Sequence, residues 1–531
     1  MSDFGEHEVS ILAWSMATLG YGPRPMLQAI SAQARKKIVE FSQQGLTNLA
    51  WSYATRGVND LPLLQAISAA SIPMISEFLP RGLANLAWAF ATLWYEDAPL
   101  WKALSAASRT KIGQFGGEAD FANIAWSVAT IGWEDAPLMA ALSAAARPKM
   151  SDFGFQGLAN TAWAYAALAF SDPPLRHAIA AAALRKITAC GPSTLEIGSG
   201  EAKSLLGLVS AFSEEGAREP ELQATLLQAA EAALQTYAQR LDARGSEGAV
   251  LNAIDIGAGQ NDDQSRPCVI VEQPHVCALL KPPGWTVTVF DCQEDGASTV
   301  VGAERGPPGR RMQDWVAENL GLLYSVSRDS GAQHGLVHRL DRDTSGVLLV
   351  AKSYRGLQMS RLQFVAHRVQ KEYVCLCHGS FPQAPRFMEA SLRQLPVGDA
   401  VVSKGVAPRS AAVNEAGKNA RTEVLSVAHL CCPEGGRLSL VRLRLHTGRR
   451  HQIRAHMAAE GSPLVADATY GGLARTWCRR TFLHAYCLAV DVGDGPLKAF
   501  CRLPPDLDEA LAALTPETGR ARASQLRWAC A

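Results

Sequence analysis

Apolar positions in the first two hundred residues recur with a long, fixed period. Five tryptophans are spaced 37, 37, 38 and 37 residues apart, and each follows an alanine and precedes a proline by eleven positions: Trp14, Trp51, Trp88, Trp126 and Trp163. Each period predicts two helices, the first carrying an Asn-Leu-Ala-Trp-type stripe and the second opened by the proline, which suits a first helical turn. Such a period is typical of a helical solenoid, whose stacked neighbours bury the apolar faces. We therefore predict five clear helical pairs, a decayed sixth at 204–212, and tryptophans that pack between helices.

The pattern changes after a connecting segment. One helix is predicted at 221–244, and the polar stretch 257–266 that follows it indicates a domain break near residue 260. Beyond it, strand patterns occur at 268–280, 347–350, 370–374 and 438–445, with helical patterns at 312–323 and 360–369. The predicted organisation is multidomain, with repeats over 1–212, a helix and linker over 213–266, a second folded domain over 267–510 and a tail over 511–531.

Composition narrows the class of protein. The 51 Lys and Arg residues balance 50 Asp and Glu, so a nucleic-acid partner requires a local basic surface. No apolar run reaches about 18 residues, so no membrane span is predicted. The 12 cysteines include no C-x-x-C pair, which favours reduced thiols in an intracellular compartment over zinc fingers or a secreted disulfide framework.

The first residues bear on location. Met1–Gly5 repeats Met150–Gly154, which lies inside a repeat. We therefore expect the sequence to start within a repeat, with any organelle-targeting segment preceding it. The predicted location is intracellular, with the chloroplast or mitochondrion as candidates.

Reactive side chains are densest just before the apolar run at 347–350. His338, Arg339 and Asp341 lead into that predicted buried strand. A carboxylate at the mouth of a buried strand, flanked by arginines, suits a reactive group held rigidly at a cleft. Structural ion pairs use the same residue types, so the pattern alone leaves both interpretations open.

The whole string decides between them. His338-Arg339-Leu340-Asp341 followed by Thr344-Ser345-Gly346 resembles the signature of the large-subunit-A-type (RluA-like) family of RNA pseudouridine synthases. Further motifs follow the family's order, at 281–284, 371–373, 418–422, 446–456, 461–471 and 482–485. The resemblance implies an α/β domain with a mixed, largely antiparallel sheet. It also implies isomerisation of uridine to pseudouridine in tRNA or rRNA, without cofactor or metal.

The resemblance also implies roles for individual side chains. Asp341 would be the nucleophile, kept ionised by Arg454, and Tyr373 would contact the target base. Because a stacked uridine must be flipped out, Arg339 would fill the vacated space or pair with phosphate. The remaining RNA contacts would come from His338, Lys281, Arg449, Arg450 and His451.

Alternatives remain. The repeats are similar to octotricopeptide-type repeats of organellar RNA-binding proteins, although a protein-docking scaffold is also possible. A non-catalytic RNA-binding or assembly factor could retain the catalytic fold. A zinc site is disfavoured, because His446, His451 and His456 step by five and do not share a helical face. A serine hydrolase is disfavoured, because Ser345 lacks a nucleophile elbow.

Overall fold

The computed structural model describes residues 4–189, 198–214, 219–245, 265–287, 310–394, 410–413 and 417–517. These residues form two compact units, one ending at Ala233 and the other beginning at Leu234. The division falls within one helix, Pro220–Gly245, and the predicted break near residue 260 lies outside the described residues. The end of this helix belongs to the second unit because the Asp242 carboxylate accepts hydrogen bonds from the N–H groups of Tyr354 and Arg355, at 2.7 and 3.0 Å.

The first unit is built of helices that alternate between two layers. The helices are α1 (Glu6–Thr18), α2 (Arg24–Lys36), α3 (Gln43–Thr55), α4 (Leu61–Ser71), α5 (Pro80–Thr92), α6 (Ala98–Lys111), α7 (Glu118–Ile131), α8 (Ala136–Ala146), α9 (Phe155–Ala167), α10 (Pro173–Ala189), α11 (Ser199–Glu214) and the first part of α12 (Pro220–Gly245). The odd-numbered helices from α1 to α11 pack side by side, and α2, α4, α6 and α8 form a second layer. The predicted helical N-terminal architecture is confirmed, and α11 occupies the place of the decayed sixth unit.

Aspartates at the starts of even-numbered helices connect successive pairs. Asp60, Asp97 and Asp135 each cap a helix by accepting a hydrogen bond from its backbone, at 3.1, 3.1 and 2.9 Å. The second oxygen of Asp97 accepts from the Ser68 hydroxyl of the preceding pair at 2.7 Å, and Asp135 accepts from Ser105 in the same way. One side chain thus starts a helix and ties it to its neighbour.

The tryptophan stripe packs between helices. Trp126 is 7% exposed, and its ring lies 6.3 Å from that of Trp163 in the next pair. Trp51 and Trp88 are half-buried, whereas Trp14 on α1 is 45% exposed. Packing therefore accounts for most of the stripe.

The second unit is organised around one large sheet. Its strands are β1 (Cys268–Glu272), β2 (Val276–Lys281), β3 (Ser345–Ala351), β4 (Gln370–His378), β5 (Arg386–Met388), β8 (Thr422–Cys431), β9 (Arg437–Leu445), β10 (Leu483–Asp491), β11 (Pro496–Phe500) and β12 (Thr515–Pro516), while β6 (Ser391–Gln394) and β7 (Ser410–Val413) pair separately. The sheet order is β1-β2-β3-β10-β4-β9-β8-β12, with β11 beside β10 and β5 beside β8. The β3–β10 pair is parallel and the other described pairs are antiparallel, so the predicted mixed, largely antiparallel sheet is confirmed.

Helices cover both faces of this sheet. They are α13 (Met312–Leu320), α14 (Ser325–Arg328), α15 (Tyr354–Val365), α16 (Gln452–Ala459) and α17 (Pro505–Ala512). Because side chains alternate along a strand, Tyr373 and Leu443 share one core with α13 and α16, whereas Val374 and Leu440 share another with α17. The face with Tyr373 carries the candidate site.

Some of the sequence predictions concern residues that lie outside the described ranges. Most of the predicted tail at 511–531, beyond β12, lies outside the described residues, as do residues 291–309. Within the described part of the chain, no helix is both long and apolar enough to cross a bilayer.

Candidate active site

The loop that carries Asp341 is held from below by Lys281. This lysine is fully buried at the end of β2, and its ammonium donates to the backbone carbonyls of Arg342 and Thr344 at 2.9 and 2.6 Å. Burial lowers the pKa of Lys281 to about 7, although the charges of Asp341 and Asp343 oppose that shift. The RNA contact expected of Lys281 is therefore wrong: without exposed surface, it binds the loop instead.

Arg480 holds the same loop from another side. Its guanidinium donates to the carbonyl of Asp343 at 2.8 Å and to the Ser345 hydroxyl at 3.1 Å. Ser345 is buried and paired with the imidazole of His484 at 2.9 Å, so it is structural and not a hydrolytic nucleophile. Arg480 was missed from the sequence, although it stands three positions before the Leu-His-Ala motif.

His338 packs beneath the loop. Its ring stacks on Phe364 with centroids 5.0 Å apart, and its Nε2 accepts a hydrogen bond from the Leu349 N–H at 2.9 Å. Burial, together with the charge of Lys371, lowers the pKa of His338 to about 3. One face and this nitrogen thus anchor the loop on β3, and an RNA contact of the half-buried side chain stays a prediction.

Tyr373 lies two strands away from the loop. Gly346, the second residue of β3, pairs with Ala485 of β10, and Ala485 pairs with Tyr373 of β4. Gly346 has φ of 126°, and a Cβ there would lie 2.2 Å from the Ala485 carbonyl oxygen, so only glycine permits this approach. Burial, then the charge of Asp341, raises the pKa of Tyr373, which leaves its phenol protonated near neutral pH.

Arg454 joins Asp341 to a second, buried acid. One guanidinium nitrogen lies 3.4 Å from Asp341 Oδ2, while two others donate to the two oxygens of Asp467 at 2.7 Å each. Asp467 is 1% exposed, and the guanidinium also lies over the ring of Tyr470, 5.0 Å from its centroid. Although burial alone lowers it, the Asp467 and Asp341 carboxylates hold the pKa of Arg454 above its ordinary value. Asp467 was missed as a site residue, although it lies in the 461–471 motif.

His451 lies against the candidate nucleophile, and the phosphate contact that the resemblance implied for it stays a prediction. Its Nε2 is 3.8 Å from Asp341 Oδ1, and its Nδ1 is 3.1 Å from the hydroxyl of Tyr470. It precedes α16 with φ of 53°, a left-handed conformation that is uncommon outside glycine and clusters at functional sites. Burial lowers its pKa to about 4, so the ring is neutral near pH 7.

The electrostatics favour an ionised Asp341. Its side chain is 20% exposed, which leaves it accessible. Burial alone raises the pKa of Asp341, but the positive charges of Arg454 and Arg339, and of His451 at the low pH where its imidazole is protonated, outweigh burial and hold that pKa below its usual range. The carboxylate therefore stays charged at neutral pH, as a nucleophile requires.

Three arginines remain predicted RNA contacts. Arg339 is exposed, and its charge acts on both Asp341 and His451. Arg450 is half-exposed and also acts on His451, while the Nε of half-exposed Arg449 donates to the Asn419 carbonyl at 3.1 Å. Arg339 and Arg450 thus bring positive charge to the surroundings of His451, and the RNA contacts of all three arginines stay predictions.

The three histidines considered for zinc have separate partners. His446 pairs with Glu423 at 3.0 Å, and His456 contacts the Thr422 hydroxyl at 3.0 Å. Across the described ranges, no group of three or more potential ligands is placed to hold a metal ion.

Comparison with known proteins identifies relatives of the second unit. The family described as RNA pseudouridylate synthase matches residues 275–459. The tRNA pseudouridine synthase C of Yersinia pestis is 32% identical over 228 residues, which cover 41% of this chain and 78% of that protein. The ribosomal large subunit pseudouridine synthase D of Borreliella burgdorferi is 33% identical over 231 residues, covering 42% and 66%. Among solved structures, human RNA pseudouridylate synthase domain containing 1 matches with a TM-score of 0.33 and 20% identity, covering 48% of this chain and 90% of that one.

Proposed function

Because this chain belongs to the RNA pseudouridylate synthase family, we propose that its second unit converts uridine to pseudouridine in RNA with Asp341 as the nucleophile. One observation carries the assignment. An accessible carboxylate is kept ionised by the charges of Arg454 and Arg339, and its loop is fixed by hydrogen bonds from buried Lys281 and from Arg480, whose side chain is 14% exposed. Such preorganisation is what a covalent mechanism needs from a protein side chain.

The reaction balances without a co-reactant. An oxygen of Asp341 bonds to the ribose anomeric carbon while the bond from that carbon to the ring nitrogen breaks, and the released uracil keeps the electron pair. The uracil then turns, its C5 bonds to the anomeric carbon, and the ester to Asp341 breaks. The proton on C5 leaves and the ring nitrogen gains one, so the product is an isomer of the substrate.

The protonation state of Tyr373 favours a role in stacking on the target uracil over a role in removing a proton from it. Its raised pKa keeps the phenol protonated before substrate binds, so in that state its oxygen cannot take up a further proton as a base. An aromatic ring under the target base favours the flipped uracil by stacking. Tyr373→Phe separates the two roles: a purely stacking residue tolerates the change, whereas loss of product shows that the hydroxyl moves a proton.

The competing function is a non-catalytic RNA-binding factor with the same fold. Asp341→Asn should abolish pseudouridine while RNA affinity stays within about twofold, since the substitution removes the nucleophile and keeps its shape. Asp343→Asn, in the same loop and in an ion pair with exposed Arg342, is the matched control and should retain activity. Product from Asp341→Asn at the wild-type rate would refute the assignment, and no product from wild type on any RNA would favour the non-catalytic factor.

The substrate class follows from the relatives. The two bacterial proteins act on tRNA and on the large ribosomal RNA, as their names state. We propose tRNA or rRNA as the substrate, in an intracellular compartment, with chloroplast or mitochondrion as candidates. Mapping pseudouridines in cells that carry wild type or Asp341→Asn identifies the RNA, and imaging the full-length protein tests the location.

The repeats are proposed to bind that RNA. One asparagine is repeated on α3, α5, α7 and α9, three positions before each tryptophan: Asn48, Asn85, Asn123 and Asn160. All four are half-buried, and their amides form no hydrogen bond with other described residues. A row of unpaired amides on packed helices suits a polymer with repeated polar edges, as in repeat proteins that read one base per unit.

Substitution of the row tests this role against protein docking. Replacing all four asparagines by alanine should weaken RNA binding at least about tenfold, because each lost amide contact costs part of the free energy of binding. Gln28→Ala with Lys102→Ala, on exposed positions of the other layer, is the control. Unchanged RNA affinity and site choice would favour a protein-docking role for the repeats.

A further inference from the structure

His451 is held with little freedom between two groups of the site. Its side chain is 7% exposed, its Nδ1 lies 3.1 Å from the Tyr470 hydroxyl, and the rings of these residues meet edge to face at 5.8 Å. Its left-handed backbone directs the ring towards Asp341 from the residue before α16. A residue with a strained backbone, held by fixed contacts at Nδ1, indicates a functional role for the opposite side of its ring, which carries Nε2.

Counting donors assigns the tautomer of this imidazole. The Tyr470 hydroxyl has one proton, which it donates to the carbonyl of Ser410 at 3.0 Å. The same oxygen accepts from the Ser410 N–H at 3.2 Å. The Nδ1 of His451 must then be the donor to that oxygen, which leaves a lone pair on Nε2. Burial supports this assignment, because the lowered pKa of His451 keeps the ring neutral.

The lone pair on His451 Nε2 faces another hydrogen-bond acceptor, the Asp341 carboxylate. Nε2 of His451 and Oδ1 of ionised Asp341 are 3.8 Å apart, too far for a direct hydrogen bond and without a proton to share. Within the described residues, neither of these two atoms has a hydrogen-bond donor. The gap therefore suits a donor brought by the substrate, placed next to the atom that Asp341 attacks.

The chemistry of a nucleoside identifies that donor. Asp341 bonds to the anomeric carbon, and the groups attached there are the base, the ring oxygen and the carbon that bears the 2′-hydroxyl. The ring oxygen is only an acceptor, and the 2′-hydroxyl is the O–H donor nearest to the reacting carbon. We propose that His451 Nε2 accepts a hydrogen bond from the 2′-hydroxyl of the target uridine and so selects ribose over deoxyribose. This inference rests on the proposed function and makes His451 a specificity-determining residue.

The expected consequence is a rate difference that depends on one oxygen. A site built to bond a hydroxyl rejects the analogue that lacks it, because the acceptor is left unpaired. Wild type should therefore act on an RNA with 2′-deoxyuridine at the target position about 10- to 100-fold more slowly than on the same RNA with uridine. His451→Phe keeps a planar ring but removes the acceptor, so it should slow the uridine reaction by a similar factor and leave the deoxyuridine reaction nearly unchanged.

Single-turnover rates of wild type and variants on the two RNAs test the proposal. Because phenylalanine tolerates a left-handed backbone poorly, Tyr470→Phe is the second variant; it removes the hydroxyl that fixes the tautomer and should reduce the discrimination in the same direction. Equal wild-type rates on both RNAs would overturn the inference and keep the proposed function. Equal slowing of both reactions by His451→Phe would show a structural role and also overturn it. No product from either RNA with wild type would overturn the proposed function and the inference together.

Discussion

Replacing Asp467 by asparagine should separate the acid that positions Arg454 from the acid that reacts. The carboxylate is 1% exposed and accepts two hydrogen bonds of 2.7 Å from a guanidinium whose third contact, with Asp341, is longer at 3.4 Å. Asparagine keeps one acceptor oxygen and turns an N–H₂ group against the N–H groups of the arginine. The guanidinium is then held on one side only, and its charge has lost its closest counter-charge.

The structure gives magnitudes for two effects of Asp467→Asn, the loss of stability and the loss of catalytic rate. Removing one partner from a buried ion pair costs about 3–5 kcal/mol, because the other charge stays buried without compensation. A displacement of about 1 Å at a catalytic group costs roughly 100-fold in rate. We therefore expect Asp467→Asn to lower the free energy of unfolding by about 3–5 kcal/mol. We also expect kcat to fall roughly 100-fold while KM for RNA changes little, since Asp467 does not reach the surface.

Urea unfolding measures the first effect, and release of tritium from RNA labelled at uridine C5 measures the second. Asp506→Asn is the matched control, because Asp506 also accepts two hydrogen bonds from an arginine, Arg480, yet is 49% exposed. An exposed pair contributes about 0–1 kcal/mol, so this variant should stay near wild type in stability. If Asp467→Asn matched the control in both assays, Arg454 would not depend on Asp467 for its place and the reasoning would be wrong.

Two further substitutions probe the loop that carries Asp341. Lys281→Met should lower kcat, because the carbonyls of Arg342 and Thr344 lose their donor. Since the pKa of folded Lys281 is lowered to about 7 while an unfolded lysine titrates near 10.4, the unfolded state binds more protons between these values. The stability of wild type relative to Lys281→Met should therefore rise from pH 7 to 10, and a flat or falling difference in urea unfolding would contradict this sign. Gly346→Ala should prevent stable folding because its Cβ would overlap the Ala485 carbonyl, whereas Gly461→Ala, with φ of 74° and open space around it, should cost only about 1–2 kcal/mol; similar losses in thermal unfolding would refute the close-approach argument.

The sequence was most informative where one segment carries a whole pattern. The tryptophan period predicted the helical unit, and the alternation at 438–445 predicted a strand that the structure shows as β9. Periodicity of this kind is local, because a helix or strand exposes its faces at a fixed spacing. The division at Ala233–Leu234 had no such signal, because it falls inside the continuous pattern of helix α12.

The site was predicted less completely because its contacts join distant segments. Asp341 and Arg454 were found through motifs, and their 3.4 Å contact agrees with the predicted pair. The resemblance implied an RNA contact for Lys281, but the carbonyls of Arg342 and Thr344, in a loop about 60 residues away, accept hydrogen bonds from its buried ammonium. Asp467, the partner of Arg454, could not be identified among the nearby acidic residues, because the sequence does not show which side chains point towards the arginine. The role of His451 depends on a left-handed φ and on one hydroxyl proton, neither of which a residue pattern reveals.

The parallel pairing of β3 with β10 has a consequence for biosynthesis. Ser345 meets His484 and Gly346 meets Ala485 across about 139 residues of chain, the separation over which the Ser345 hydroxyl contacts the His484 ring. Contacts between such distant segments form only after the later one is available, and chains fold from the N-terminus as they leave the ribosome. The loop that carries Asp341 thus waits for the segment around residues 484–485 before it takes its final shape. A nascent chain released before residue 484 would have Asp341 but no strand against which to fix it, so the unfinished protein has no competent centre with which to modify RNA.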